Sequence, residues 1–508
     1  MTQMVAVIAI VIFTLVVVVV GVWSSKQAGS VEGFILAGRN MGPWLSAFAY
    51  GTSYFSAVIF IGYAGMFGWL IGAGSIMIGI GNAVIGCLIA WLVLARPTRR
   101  MTHKLEARTM PEFFSARYLG PNMKIYAALI IFIFLVPYAA GVYKGLGTLF
   151  SAIFVGATPE VCMVIVAVLT AIYLVLGGYV ATAWNDFIQG LIMFVGILAM
   201  IIIMVNRPEV GGIAEMMQRL KDIDPGLVNM TGGVMKNTLV INIILTSFGV
   251  WGLPQMVHKY YAIKDESSIK KATIISTVFA AFIGIGAYFV GSMGHLFIEA
   301  GPDGMPLVEG GYDGIVPAML MKALTGGTFG IIVLCVIMLL LLSASMSTLS
   351  ALVLSSSSAV SIDMIRHLRP SITQKNQVIT LRLFCAAFIV LSYIFASANI
   401  SFIVNLMSFS WGVVAGSFIG PFLWGLYGKF ITKAGAWAGL LAGPVVVGLM
   451  LVINIINVGF DAAKGMAPIF GVTAMGVSVV VVPVVSLLTR RFVFSQSHLE
   501  KVFAKVEE

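Results

Sequence analysis

Apolar runs of about twenty residues recur from one end of this chain to the other, and no polar stretch between them is long enough to form a soluble domain. Each run is long enough to cross a bilayer as a helix. In lipid every backbone N–H and C=O must be satisfied within the segment or a closed sheet, so such a chain folds as an all-α bundle. The expected spans are 4–23, 43–70, 74–95, 125–154, 159–181, 186–205, 238–257, 272–298, 327–356, 376–397, 402–427, 434–457 and 467–489, numbered here helices 1 to 13. Residues 1–508 then form a single polytopic membrane unit. A hydrophobic share of 60% with only 10% charged residues agrees with this and not with a soluble globule.

The net charge of +10 could suggest a nucleic-acid surface, but its distribution argues otherwise. With these spans, 23 of the 30 Lys and Arg residues fall in alternate loops or their flanks. The positive-inside rule makes that side cytoplasmic, with the N-terminus outside and the C-terminus inside. The first run lacks a basic leader and a small-residue cleavage site, so it reads as a retained membrane helix. Cys87, Cys162, Cys335 and Cys385 lie inside apolar runs and show no metal-ligand spacing.

Polar residues inside these spans carry the functional signal. Helix 9 ends in LLSASMSTLSALVLSSSSAVSID, Leu341 to Asp363. Ser343, Ser347 and Ser350 share one helical face, with Ala344 and Thr348 one step round. A row of hydroxyls offers oxygen to a hard cation such as sodium; it also lets helices pack closely. Helix 2 contains Gly51, Gly62, Gly65 and Gly68, with Thr52, Ser53 and Ser56 among them. Helix 7 carries Gly249, Gly252 and Pro254 beside Trp251, Gln255 and His258. Both read as interrupted helices, and interrupted helices in corresponding positions mark a transporter site near the bilayer midplane. Helices 2–6 (about 43–205) and 7–11 (about 238–427) then form two five-helix repeats of opposite orientation, with helices 1, 12 and 13 peripheral. Asp186 reads as an N-cap at the start of helix 6, favoured there by the helix dipole, or as a charge offered to a cation from a short inner loop beside a cavity. Lys144 reads as an intramembrane cation that must pair or snorkel. The Tyr260–Tyr261 pair reads as an interfacial anchor. Paired intramembrane carboxylates, a His cluster and a nucleophile motif are all missing, so the sequence does not read as an enzyme.

GPW at Gly42–Trp44, TMPEFFSARY at Thr109–Tyr118, GGYVATAWNDFIQG at Gly177–Gly190, GLP at Gly252–Pro254 and the segment Ala344–Met364 occur in an order that resembles the bacterial branch of the sodium:solute symporter family. The resemblance implies a LeuT-type fold with extra helices, in a bacterial plasma membrane, with sodium and a small organic solute as cargo. It implies a sodium ion between helices 2 and 9, held by the carbonyls of Thr52, Phe55 and Ala344 and the hydroxyls of Ser347 and Thr348. It implies a further sodium position in some members, matched here by Asp186 and Ser350, although Ala351 replaces a second hydroxyl. The implied substrate cavity is lined by Thr52, Ser53, Tyr54, Ser56, Val250, Trp251 and Gln255. Proline symporters of the family carry Asp where Tyr54 stands and an aromatic pair where Thr246 and Val250 stand. SYFSAVIFIGYAG (Ser53–Gly65) and FGVWGLP (Phe248–Pro254) are more similar to pantothenate symporters. The resemblance therefore favours a carboxylate-bearing solute, pantothenate ahead of proline, another amino acid or a short monocarboxylate. A solute channel or membrane sensor on the same fold is the alternative of another class. A sensor would need a signalling domain, and SQSHLEKVFAKVEE after Phe494 is too short for one.

Overall fold

The computed structural model describes residues 2–503 except 155, 325, 326, 399 and 400. Among the described residues, eleven helical stretches are long and apolar enough to cross a membrane. Two of them, Val58–Lys104 and Pro159–Val205, are twice the length a bilayer needs. Each folds back at a glycine, which raises the number of crossings to the thirteen expected. Gly72 has φ 65 and ψ −137, and a Cβ there would lie 2.1 Å from the Leu227 carbonyl oxygen. Gly178 has φ 54 and ψ −147, and a Cβ there would lie 2.7 Å from the Phe34 carbonyl oxygen. Only glycine adopts these angles without strain. The corner at Gly178 begins helix 6 earlier than the pattern suggested. Asp186 is therefore two turns inside helix 6 and is not its cap.

Helix 2 is split. Its first half, Pro43–Tyr54, stops at Phe55 (φ −108, ψ 106), and its second half resumes through Val58–Tyr63 to Ala64–Ile71. Helix 7 is split as well, into Lys236–Gly249 and Pro254–Ala262, with Leu253 extended between them. Pro254 opens the second half because the first turn needs no N–H from it. Helix 9 runs through Gly327–Ser358.

Burial separates core from periphery. Helix 11, Ile403–Tyr427, is 94% buried in its most apolar stretch, whereas helix 1 is 22% buried. Helices 12 and 13, Lys433–Val458 and Ala467–Leu488, lie outside the core as expected, at 28% and 33%. Helix 10, Gln374–Ser397, matches them at 33% although it belongs to the second repeat. The tyrosines assigned to the interface are core residues instead. Tyr260 and Tyr261 are fully buried, and the Tyr260 ring stacks on Tyr50 at 5.7 Å. Helix 7 bends inward at its break and carries them away from lipid.

Candidate functional site

The break in helix 2 leaves the last carbonyls of its first half without partners along the helix. The Gly51 carbonyl takes the Phe55 N–H at 3.2 Å. The next two are met from helix 9. Ser347 Oγ lies 3.1 Å from the Thr52 carbonyl oxygen and 3.0 Å from that of Ala344. Thr348 Oγ1 lies 3.3 Å from the carbonyl oxygens of both Thr52 and Ser53. Five oxygens from two helices therefore converge at the negative end of a half-helix. Each hydroxyl can rotate its proton away and present a lone pair. Thr52, Ala344, Ser347 and Thr348 are thus brought together, all fully buried. Among the described contacts, the Ser53 carbonyl joins this group and the Phe55 carbonyl does not.

Gly190 of helix 6 closes the third side, since a Cβ there would lie 3.0 Å from Thr52 Cγ2. Asp186, one turn earlier on the same face, is paired with Lys259 of helix 7, Nζ to Oδ2 3.8 Å. Ser350 donates its hydroxyl to the Ser347 carbonyl at 2.9 Å.

A second, smaller space lies where the two breaks face each other. Its free volume is about 20 Å³, room for about one water. Tyr54, Ser56 and Thr246 line it, together with Asn82, Tyr138, Tyr288 and Trp411 from helices 3, 4, 8 and 11. Ser56 also caps the second half of helix 2 by accepting the Val58 N–H at 3.2 Å. Tyr54 ties the breaks together, its hydroxyl donating to the Thr246 carbonyl at 2.8 Å. Asn82 Oδ1 accepts from the hydroxyls of Thr246 (2.8 Å) and Ser247 (3.2 Å). The Tyr288 hydroxyl and the Trp411 indole N–H are buried without a partner. No lining residue is charged. Ser53, Val250, Trp251 and Gln255 lie outside this lining, and Trp251 donates to the Ile85 carbonyl at 3.2 Å. The four residues from helices 3, 4, 8 and 11 were not anticipated. Buried tyrosines and a lone Asn in apolar helices resemble packing, and unpaired polar atoms distinguish only Tyr288 and Trp411 among the four.

A larger cavity of about 1220 Å³ lies on the side away from the basic loops. Lys144 stands in its wall and pairs with Asp313 at 2.9 Å while donating to the Ser401 carbonyl at 2.9 Å. The Asp313 carboxylate also accepts the Ile403 N–H at 3.2 Å. Burial pushes the Asp313 carboxyl above its ordinary range, against the opposing pull of Lys144. Lys144 therefore pairs, as an intramembrane cation must.

A helical bundle with two facing interrupted helices, hydroxyls turned to the carbonyls of one break and polar side chains around the other, is a carrier of the secondary-transporter class. The model of the sodium:solute symporter family matches residues 34–443, and the chain belongs to that family. It is similar to a sodium/proline symporter of Staphylococcus aureus, 28% identical over 99% of this chain and 96% of the relative. It is also similar to a high-affinity proline transporter of Bacillus subtilis, 27% identical over 84% and 88%. Among solved structures, a substrate-bound, outward-open Na+-coupled sialic acid symporter shares the fold, with TM-score 0.77 at 19% identity over 95% of this chain and 97% of that one. A nucleobase-cation-symport-1 transporter in a closed conformation aligns at TM-score 0.52 and 16% identity over 94% and 98%. The fold is the LeuT type with its two five-helix repeats.

Proposed function

We propose that this transporter couples entry of sodium to uptake of a small carboxylate-bearing solute, and that the solute is an amino acid of the proline kind. The observation that carries the sodium assignment is the meeting of Ser347 and Thr348 with the Thr52 and Ser53 carbonyls. Sodium arriving there replaces the hydroxyl-to-carbonyl bonds with its own oxygen contacts and ties helix 2 to helix 9. The solute occupies the space between the two breaks, where Tyr288 and Trp411 have donors to offer a carboxylate. The lining holds no acid, so an ammonium group would rest on backbone carbonyls freed by the breaks. The proline relatives favour this reading over pantothenate, which Ser53–Gly65 had suggested. The present space is too small for any of these solutes. Binding therefore selects a state with the walls apart, and alternating access follows from moving one repeat against the other. With the basic loops in the cytoplasm, the large cavity around Lys144 faces outward.

One sodium ion is sufficient as a driving force. A single charge crossing 100 mV yields about 2.3 kcal/mol, and about 1.4 kcal/mol sustains a tenfold ratio. The potential alone therefore supports roughly a fiftyfold gradient. Sodium-dependent uptake into proteoliposomes, run with proline, other amino acids, pantothenate and short monocarboxylates, tests the assignment. Proline uptake above equilibrium under an inward sodium gradient is expected. Pantothenate uptake without proline uptake would reverse the choice of solute, and solute flux indifferent to sodium would make the protein a channel.

A further inference from the structure

Among the described residues, Asp186 and Lys259 form an ion pair in which both side chains are almost fully buried. Their side chains are 1% and 2% exposed. They come from different repeats, Asp186 from helix 6 and Lys259 from the second half of helix 7. Gly190, one turn from Asp186 on the same face, contacts Thr52. Along helix 6 the pair therefore sits one helical turn, about 5.4 Å, from the residue that packs on the Thr52 side chain.

A carboxylate taken out of water needs a compensating cation. Among the described residues, the cation that reaches Asp186 is Lys259. The neighbouring groups add no charge that competes. Tyr179 lies under the ammonium at 5.1 Å to its ring centre, and His258 packs edge-on against the same ring at 5.2 Å. Arg39 is engaged by Glu32 at 3.5 Å and by the Ala107 carbonyl at 2.8 Å. Nor do neutral oxygens gather round the acid. Neither Asp186 oxygen has a hydrogen-bond partner, the Ser350 hydroxyl is turned to the Ser347 carbonyl, and Ala351 has no hydroxyl. A hard ion prefers several oxygens, whereas an ammonium on a four-carbon stem needs only the charge and brings it along.

We propose that Lys259 is a tethered cation occupying the position beside Asp186, so that this transporter binds one sodium ion per chain and Asp186 does not hold a second. The ammonium supplies the positive charge in every state of the cycle and is never released. The helix 2–helix 9 position is left as the exchangeable one. This rests on the sodium-coupled reading above.

Equilibrium binding of ²²Na⁺ to the purified full-length protein, without solute, tests it. Wild type is expected to bind one sodium per chain. Lys259→Met keeps the length of the side chain and removes its charge, and is expected to bind two. Lys259→Arg is expected to bind one, and so is the neutral double variant Lys259→Met/Asp186→Asn, which restores charge balance. Two sodium ions in wild type, or one in a folded Lys259→Met, overturns the proposal. If Lys259→Met does not fold, the wild-type count still decides. No sodium bound by wild type would instead sink the sodium-coupled reading itself.

Discussion

Helices 2 and 7 break at matching places in the two repeats, yet the breaks are finished differently. In helix 2 the loose carbonyls of Thr52 and Ser53 are met by hydroxyls from another helix. In helix 7 the loose groups are tied locally or to side chains. The Val250 carbonyl takes the Leu253 N–H at 3.4 Å. The Thr246 carbonyl takes the Tyr54 hydroxyl. Helix 7 is also pressed against helix 11, with Gly252 facing the Ala415 backbone. A repeated backbone thus supplies two breaks, and the side chains around each decide its use. Hydroxyls that can rotate meet the carbonyls of the first, and a tight polar wall lines the space beside the second.

Three substitutions probe that contrast, the first with the largest expected effect. Gly252→Val places a Cβ 3.0 Å from the Ala415 Cα and carbonyl oxygen, where backbone cannot give way. Overpacking of this kind costs about 1–3 kcal/mol, and uptake should fall more than tenfold in protein that still reaches the membrane. Thr246→Val removes the hydroxyl shared by Asn82 and the Asn242 carbonyl. Half-saturating solute should rise about five- to tenfold, as expected for about 1 kcal/mol of lost hydrogen bonding, while half-saturating sodium moves less than twofold. Equal movement in both constants would mean that the two breaks are not separate in function. Tyr54→Phe removes the bond between the breaks and should raise half-saturating solute by about fivefold on the same scale.

The smallest effect lies outside both breaks and calibrates the others. Asp265 caps helix 8 by accepting the Ser268 N–H at 2.7 Å, and that hydrogen bond holds its carboxyl down at about 2. Because the folded value is depressed, the cap's contribution is present above the ordinary value near 3.9 and is lost as pH falls toward 2. Asp265→Ala should therefore lower thermal stability by about 1 kcal/mol at neutral pH. In melting curves the difference from wild type should shrink between pH 4 and 2.

The membrane class, the thirteen crossings and both interruptions could be read from the sequence, because lipid forces apolar length and makes a Gly- or Pro-interrupted span conspicuous. Ser347 and Thr348 stood out for the same reason, as hydroxyls in a span otherwise rich in Leu and Ile. What could not be read depends on distant elements meeting. The corner at Gly178 turns on a positive φ that no local pattern announces, and it moves Asp186 from the start of helix 6 to its interior. Lys259 lies just past the expected end of helix 7, and only the fold of the bundle brings it to Asp186. Asn82, Tyr138, Tyr288 and Trp411 each lie in a different helix, and their convergence is a property of the bundle.

The central claim is that the carbonyl end of the helix 2 break is where the coupling ion is held. Sodium activation of uptake by Ser347→Ala/Thr348→Ala, measured beside wild type in the same proteoliposomes, tests it most directly. Loss of two hydroxyl ligands, each worth about 1 kcal/mol or more, should raise half-saturating sodium by at least tenfold, with half-saturating solute at saturating sodium little changed. An unaltered sodium curve in a folded double variant would contradict the account.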